Sequence, residues 1–242
     1  MTEREILRLG AEEIGITLTD GQINQFMTYM EMLIEWNKKL NLTAIIEPMD
    51  IIKKHFLDCL SVASMEEFKQ SGRLIDVGTG AGFPGLPLKI AFPEIEVTLV
   101  DSLQKRIGFL EAVVEELELE NVQCVHGRAE DLGKDEIYRE KFDMCVSRAV
   151  AHLAVLCEYC LPFIEKGGKF YSFKAQNVQE EKMESIEAIE ILGGTIELIQ
   201  DTSIPYTDIT HSIIQIGKIG HTPEKYPRKA GKPSKSPLGI KK

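Results

Sequence analysis

The sequence predicts an α/β protein: a mostly parallel, seven-stranded sheet preceded by a helical N-terminal extension. Three observations carry this. From Arg73 onward, short apolar runs alternate with amphipathic stretches, the pattern of strands joined by crossover helices. Within Arg73 to Leu86, RLIDVGTGAGFPGL, an apolar run and an acid precede four glycines in eight positions, as at a strand, a ligand-cradling turn and a helix start. Before that segment, apolar residues recur at three-and-four spacing, as on amphipathic helices.

The elements follow in order. Residues 3 to 15 and 20 to 40 read as helices. In the second, Ile23, Phe26, Met27, Met30, Leu33, Ile34 and Leu40 share a face, and Thr19 or Asp20 suits the N-cap. A third helix is expected from about Met49 to Glu67, with His55 and Asp58 three apart and able to touch. Strands are expected at Arg73 to Val77, Glu96 to Asp101, Val122 to Val125, Phe142 to Val146 and Lys169 to Lys174. Gly167 and Gly168 are read as the turn into the last of these. Thr195 to Ile199 and Ser212 to Ile216 read as a closing antiparallel pair. The predicted organisation is a helical extension over 1–70, a Rossmann-like unit over 71–220 and a basic tail over 221–242. Pro223, Pro227, Pro233 and Pro237 are expected to keep that tail out of regular helix or strand, as a flexible or surface-laid segment.

Composition narrows the class. No apolar run approaches the ~20 residues of a membrane span, and the start MTEREILRLG lacks a secretory signal's apolar core, so a cytoplasmic location is expected. The five cysteines are an odd number without framework spacing, which fits reduced, packed thiols. Cys157-x-x-Cys160 has no second ligand pair nearby, so no metal is expected. The net charge of −10 is unevenly spread: the tail holds seven basic side chains against one acid, leaving the body at −16. An acidic body with a basic arm fits a protein that grips a polyanion locally, and Lys225, Arg228 and Lys229 are its candidate contacts.

Ligands of open α/β sheets lie at the carboxyl ends of the strands. Those ends carry Gly78, Asp101, Arg128 with Glu130, Ser147 with Arg148, and Lys174. Gly80, Gly82 and Gly85 match a dinucleotide G-x-G-x-x-G, but the register from Asp76 to Gly82, DVGTGAG, fits better and resembles motif I of class I S-adenosylmethionine-dependent methyltransferases. In this register Gly78, Gly80 and Gly82 let a cofactor approach the backbone, Asp101 suits the ribose hydroxyls, and Ala129 with Glu130 meet the adenine. Arg128, Arg148 and Lys174 then stand beside a sulfonium cation, a costly grouping unless an anion such as RNA phosphate joins it.

The chain as a whole resembles the bacterial 16S ribosomal RNA guanine-N7 methyltransferases, the glucose-inhibited division protein B family. The resemblance is carried by Asn41-Leu42-Thr43, Lys54-His55-Phe56-Leu57-Asp58, DVGTGAGFPG from Asp76, VDSLQKRIGFL from Val100, HGRAE from His126, SRAVA from Ser147 and TPEKYPRKAGKPSKSPL from Thr222. Cys59 departs from the commoner serine. The resemblance implies methyl transfer from S-adenosylmethionine to N7 of the guanine at position 527 of 16S rRNA, in the small ribosomal subunit or its precursor, by a monomer. It places cofactor contacts at Gly78, Phe83, Ala129, Glu130 and Arg148. It also places basic residues near the target at Lys105, Arg128, Arg148 and Lys174, of which Arg148, Arg128 and Lys174 are the candidate catalytic residues.

The residues agree with that chemistry. Guanine N7 has an exposed lone pair and no proton to remove, so attack on the methyl needs alignment more than a base. After the fourth strand stands Ser147-Arg148-Ala149-Val150 in place of the Asn/Asp-Pro-Pro-aromatic motif of adenine-N6 enzymes, and Cys145 lacks the proline that precedes a cytosine-C5 nucleophile. A small-molecule methyltransferase, a nicotinamide oxidoreductase and a non-catalytic RNA binder are the alternatives.

Overall fold

The computed structural model describes residues 1–148, 151–175 and 178–240. Helix α1 (Glu3–Glu13) starts on a Thr2–Glu5 capping box and α2 (Asp20–Leu40) on a Thr19–Gln22 box, which confirms Thr19 as its N-cap. The expected third helix is a composite: α3 (Pro48–Ile51), a π-helical stretch Ile52–Leu57, α4 (Asp58–Leu60) and a 3₁₀ turn Ser61–Ser64. Periodicity cannot report the π stretch, although such stretches recur at functional sites.

The sheet then begins. In chain order come β1 (Gly72–Val77), α5 (Gly85–Ala91), β2 (Ile95–Asp101), α6 (Gln104–Glu116), β3 (Val122–His126), α7 (Ala129–Leu132), β4 (Phe142–Ser147), α8 (Leu153–Cys160), β5 (Ile164–Lys174), α9 (Gln179–Ile191), β6 (Gly194–Ser203), β7 (Thr210–Lys218) and α10 (Lys232–Lys235). The seven strands lie in the order 3-2-1-4-5-7-6, with β3 to β5 parallel about β1 and β7 antiparallel to both neighbours. The order turns back at β1, so the carboxyl ends of β1, β2 and β4 open onto one crevice.

Two expectations are corrected. Gly167 and Gly168 lie inside β5, where the register with β4 shifts, and a Cβ on Gly168 would come within 2.6 Å of the Asp143 carbonyl oxygen. The tail also contains helix α10. Pro233 sits in its first turn, where a missing N–H leaves no bond unmade.

The extension shares a core with one face of the sheet. Phe26 and Tyr29 of α2 pack on Phe56 at 5.0 and 5.3 Å between ring centroids, Tyr29 continues to Phe83 and Phe109, and Trp36 meets Phe109. The Tyr29 hydroxyl donates to the Ala81 carbonyl, and the Gln22 amide donates to the last carbonyls of α5 at Ile90 and Ala91. The other face is covered by α8 and α9. Four cysteines are buried and Cys124 is half-buried; none is paired, and no metal-ligand cluster occurs among the described residues. Nor is any described helix long and apolar enough to cross a membrane.

Candidate functional site

The turn after β1 is built around two carboxylates. Asp76, fully buried, accepts from Thr79 Oγ1 at 2.7 Å and from the Gly85 N–H at 2.8 Å, tying the strand end to the start of α5. Burial pushes its carboxyl up to about 7 despite those two bonds. Asp101, at the end of β2, accepts from the Gly80 N–H at 3.0 Å, the Leu103 N–H at 2.9 Å and Arg106 Nη1 at 3.0 Å. A carboxylate offers about four acceptor positions, so a further donor still finds a place there.

The glycines of this turn differ in what faces them. At Gly78 and Gly80, with φ of +76° and +63°, an added Cβ would meet nothing within 4 Å. At Gly82 it would meet Leu86 and, at 2.6 Å, the Tyr29 hydroxyl; at Gly85 it would meet Leu99 and, at 2.9 Å, Asp76 Oδ2. The open glycines are therefore the first two of DVGTGAG; Gly82, expected to face a ligand as well, is packed against α2 and α5, and with Gly85 it leaves two of the three glycines of the dinucleotide register filled by protein.

Gly78 and Asp101 open onto a hollow of about 340 Å³, whose far side is made by Arg128, Ala129 and Glu130. Its remaining wall comes from the C-terminal segment: Gly231 and Ser234 line it, and the Gly231 N–H donates to Glu130 Oε1 at 2.9 Å. The tail is thus laid against the sheet. Arg139 donates to the carbonyls of Thr222 and Tyr226, and Arg228 makes a fork with Glu158 through Nε (2.9 Å) and Nη2 (2.6 Å).

A second hollow, of about 520 Å³, adjoins the first at Ala151 and is lined by Asp58, Arg148, Phe173, Lys174, Glu181 and His211. Arg148 donates to Asp58 Oδ2 at 2.6 Å and to His55 Nδ1 at 3.0 Å, with its guanidinium carbon 5.0 Å from the Phe83 ring centre. Lys174 donates to Glu181 at 2.7 Å. Burial would raise the Asp58 carboxyl, but contact with His211 and Arg148 holds it below its ordinary value.

The structure gathers Gly78, Asp101, Ala129, Glu130 and Arg128 at one hollow and Arg148 with Lys174 at the next. Gly80 supports the first through Asp101. Phe83 is enclosed by Tyr29, His55 and Phe56. The cations expected to await an outside anion mostly have inside ones: Arg148 pairs with Asp58 and Lys174 with Glu181. Arg228 pairs with Glu158. Arg128 is exposed and makes no ion pair among the described residues, Lys105 is exposed with its amine 3.4 Å from the Leu40 carbonyl, and Lys225 lies over the Tyr226 ring. Ala149, Val150, Lys241 and Lys242 lie outside the described residues. Sequence reasoning missed Glu158, Glu181, His211, Gly231 and Ser234. Of these, only the Gly-Lys-Pro-Ser of the tail carried a local signal, a glycine ahead of a first-turn proline.

A strand order that reverses at β1 and closes with β7 antiparallel between β5 and β6, together with the open glycines after β1 and the acid ending β2, defines a class I S-adenosylmethionine-dependent methyltransferase fold. Solved structures agree on the fold. A putative S-adenosyl-L-methionine-dependent methyltransferase from Methanococcus maripaludis aligns over 79% of this chain and 93% of its own, at 15% identity and a TM-score of 0.54. A putative methyltransferase from Bacillus halodurans aligns over 67% and 99%, at 14% identity and 0.52. The family model described as rRNA small subunit methyltransferase G matches residues 22–207. Relatives named Ribosomal RNA small subunit methyltransferase G are 55% identical over 98% of this chain and 100% of theirs in Alkaliphilus oremlandii, and 50% identical over 96% and 98% in Clostridium botulinum. The chain belongs to the rRNA small subunit methyltransferase G family.

Proposed function

We propose that this protein transfers a methyl group from S-adenosylmethionine to N7 of the guanine at position 527 of 16S rRNA, in the cytoplasm and as a monomer. We divide it into a helical extension (1–70), a methyltransferase unit (71–220) and a basic C-terminal segment (221–242). The observation that carries the reading is the pair of hollows meeting at Ala151, one bordered by open glycines and carboxylates, the other by Arg148 and Lys174.

Bound S-adenosylmethionine supplies an electrophilic methyl on a sulfonium sulfur. The chain's residues fit it: a Cβ at Gly78 or Gly80 would fill space open to it, Asp101 would accept from its ribose hydroxyls, and Ala129 with Glu130 would hold its adenine. Arg148 keeps part of its donor fork for the O6 edge of a guanine, the edge arginine reads elsewhere. Held so, the base presents its N7 lone pair to the first hollow, and no proton has to leave. Arg128, Lys105 and Lys229, all exposed, are placed to neutralise phosphates around an unstacked base.

The test is transfer of labelled methyl to small-subunit RNA, mapped by strand scission at N7-methylguanine. The expected product is a single modified guanine, lost in Arg148→Ala while binding of S-adenosylhomocysteine persists. Methyl on another base, or transfer to small nucleophiles with none to RNA, overturns the proposal.

A further inference from the structure

We infer that His55 and Asp58 are positioning residues, which fix the Arg148 guanidinium in one orientation at the edge of the second hollow. The inference rests on reading that hollow as the acceptor's. It assigns a role to Asn41-Leu42-Thr43 and Lys54-His55-Phe56-Leu57-Asp58, which lie far from the glycine turn in sequence.

A planar fork has to be fixed both within its plane and in tilt. Within the plane, Nη1 donates to Asp58 Oδ2 at 2.6 Å and approaches the Lys54 carbonyl at 3.3 Å, while Nη2 donates to His55 Nδ1 at 3.0 Å. Tilt is set by Phe83, on whose ring His55 also stacks at 4.4 Å and 19°. Three of the five N–H groups are taken up, so Nε–H and one Nη2–H remain for a substrate.

Each anchor is itself anchored. Because His55 Nδ1 accepts from Arg148, its proton sits on Nε2, which donates to Thr43 Oγ1 at 2.9 Å; that oxygen also accepts the Ile45 N–H at 3.1 Å. Burial and the Arg148 charge lower the His55 pKa to about 3, so the ring keeps the lone pair that Arg148 needs. Asp58 Oδ1 lies 2.9 Å from His211 Nδ1, and His211 Nε2 lies 3.2 Å from Ser61 Oγ. The π-helical stretch Ile52–Leu57 delivers His55 to this arrangement, and Asp58 follows it directly. Neither His55 nor Asp58 lines the first hollow. Their loss should therefore slow transfer without weakening the cofactor.

The experiment uses full-length His55→Asn, which puts an acceptor oxygen near the Nδ1 position, and His55→Gln, which reaches the Nε2 position and leaves Arg148 without its acceptor. Expected is a fall in kcat on small-subunit RNA of about tenfold or more in His55→Gln, with KM for S-adenosylmethionine within about twofold of wild type and most of the rate retained in His55→Asn. In an Arg148→Lys background His55→Gln should cost nothing further. Equal rates in the two variants, or additive losses with Arg148→Lys, overturn the inference. Should neither variant fold, Asp58→Asn decides the same question: it must lower kcat at unchanged KM for S-adenosylmethionine, and an unchanged kcat rejects the role. If instead Arg148→Ala turns over normally, the acceptor reading of the hollow fails first, a result distinguishable from the others.

Discussion

Arg228→Ala separates the structural role of the tail from its expected RNA role. Glu158 is 0% exposed, whereas the Arg228 side chain retains 21%, and the fork between them has contacts of 2.6, 2.9 and 3.1 Å. After truncation the carboxylate keeps one donor, the Arg228 N–H at 2.7 Å. Removing one partner of a buried pair costs about 3–5 kcal/mol, and with one side of the arginine wetted the lower end, about 3 kcal/mol, applies. With a urea slope near 3 kcal/mol/M, the midpoint should fall by about 1 M. Replacing both partners, Glu158→Leu with Arg228→Met, should recover most of that loss, because neither charge is then left unpaired. RNA binding supplies the control: Arg228→Ala should leave the slope of log K against log salt unchanged, while Lys229→Ala should reduce it by about 0.7–0.9. An unchanged midpoint with a reduced salt slope for Arg228→Ala would refute the reasoning.

Three further outcomes follow from the glycine turn and α6. Between about 3.8 and about 7 folded Asp76 holds a proton that the unfolded chain releases. Its contribution is therefore greatest below the lower value, falls by about 1.4 kcal/mol per pH unit across the window and changes no further above it. Asp76→Asn removes that slope, so urea midpoints of variant and wild type should shift relative to one another up to pH 7 and run parallel beyond; parallel curves throughout would disprove the raised value. Gly82→Ala should destabilise by at least about 2 kcal/mol in thermal unfolding, since φ is +98° and the methyl meets Tyr29 and Leu86. Gly108→Ala, inside α6 with nothing within 4 Å, should stabilise by about 0.5–1 kcal/mol. Equal effects at the two glycines would count against both accounts.

The central strands β1 and β2 were legible because strands buried on both faces are rich in valine, isoleucine and leucine, and the turn after β1 because its glycines cluster behind an acid. The missed α9, QEEKMESIEAIEI, is mostly acidic: Met183 is exposed and Ser185, Ala188 and Ile189 are buried, a face too weakly apolar to mark a period. At the site, Asp101 and Glu130 were visible because each ends or follows a strand. Their engagement with Arg106 and Gly231 was not, nor were Arg148–Asp58 and Arg228–Glu158, which are 90 and 70 residues apart. Local pattern encodes an element's buried face, whereas an ion pair closing a loop of that length leaves no periodic trace. The tail's prolines and lysines allow either a flexible or a surface-laid arm, and the structure takes the second through Arg139, Glu140, Glu158 and Glu130, distant partners that the tail's own sequence does not announce.

The aromatic ladder from Phe26 through Phe56 and Tyr29 to Phe83 and Phe109 crosses residue 70, so that boundary describes topology and is no place for scissors. Hybrids between relatives that exchange the first 70 positions have to carry matching rings at 83 and 109, or the graft leaves greasy surface bare and drives clumping. For the same reason an excised sheet, however complete its glycine turn, would make a poor stand-alone reagent for capturing the nucleoside.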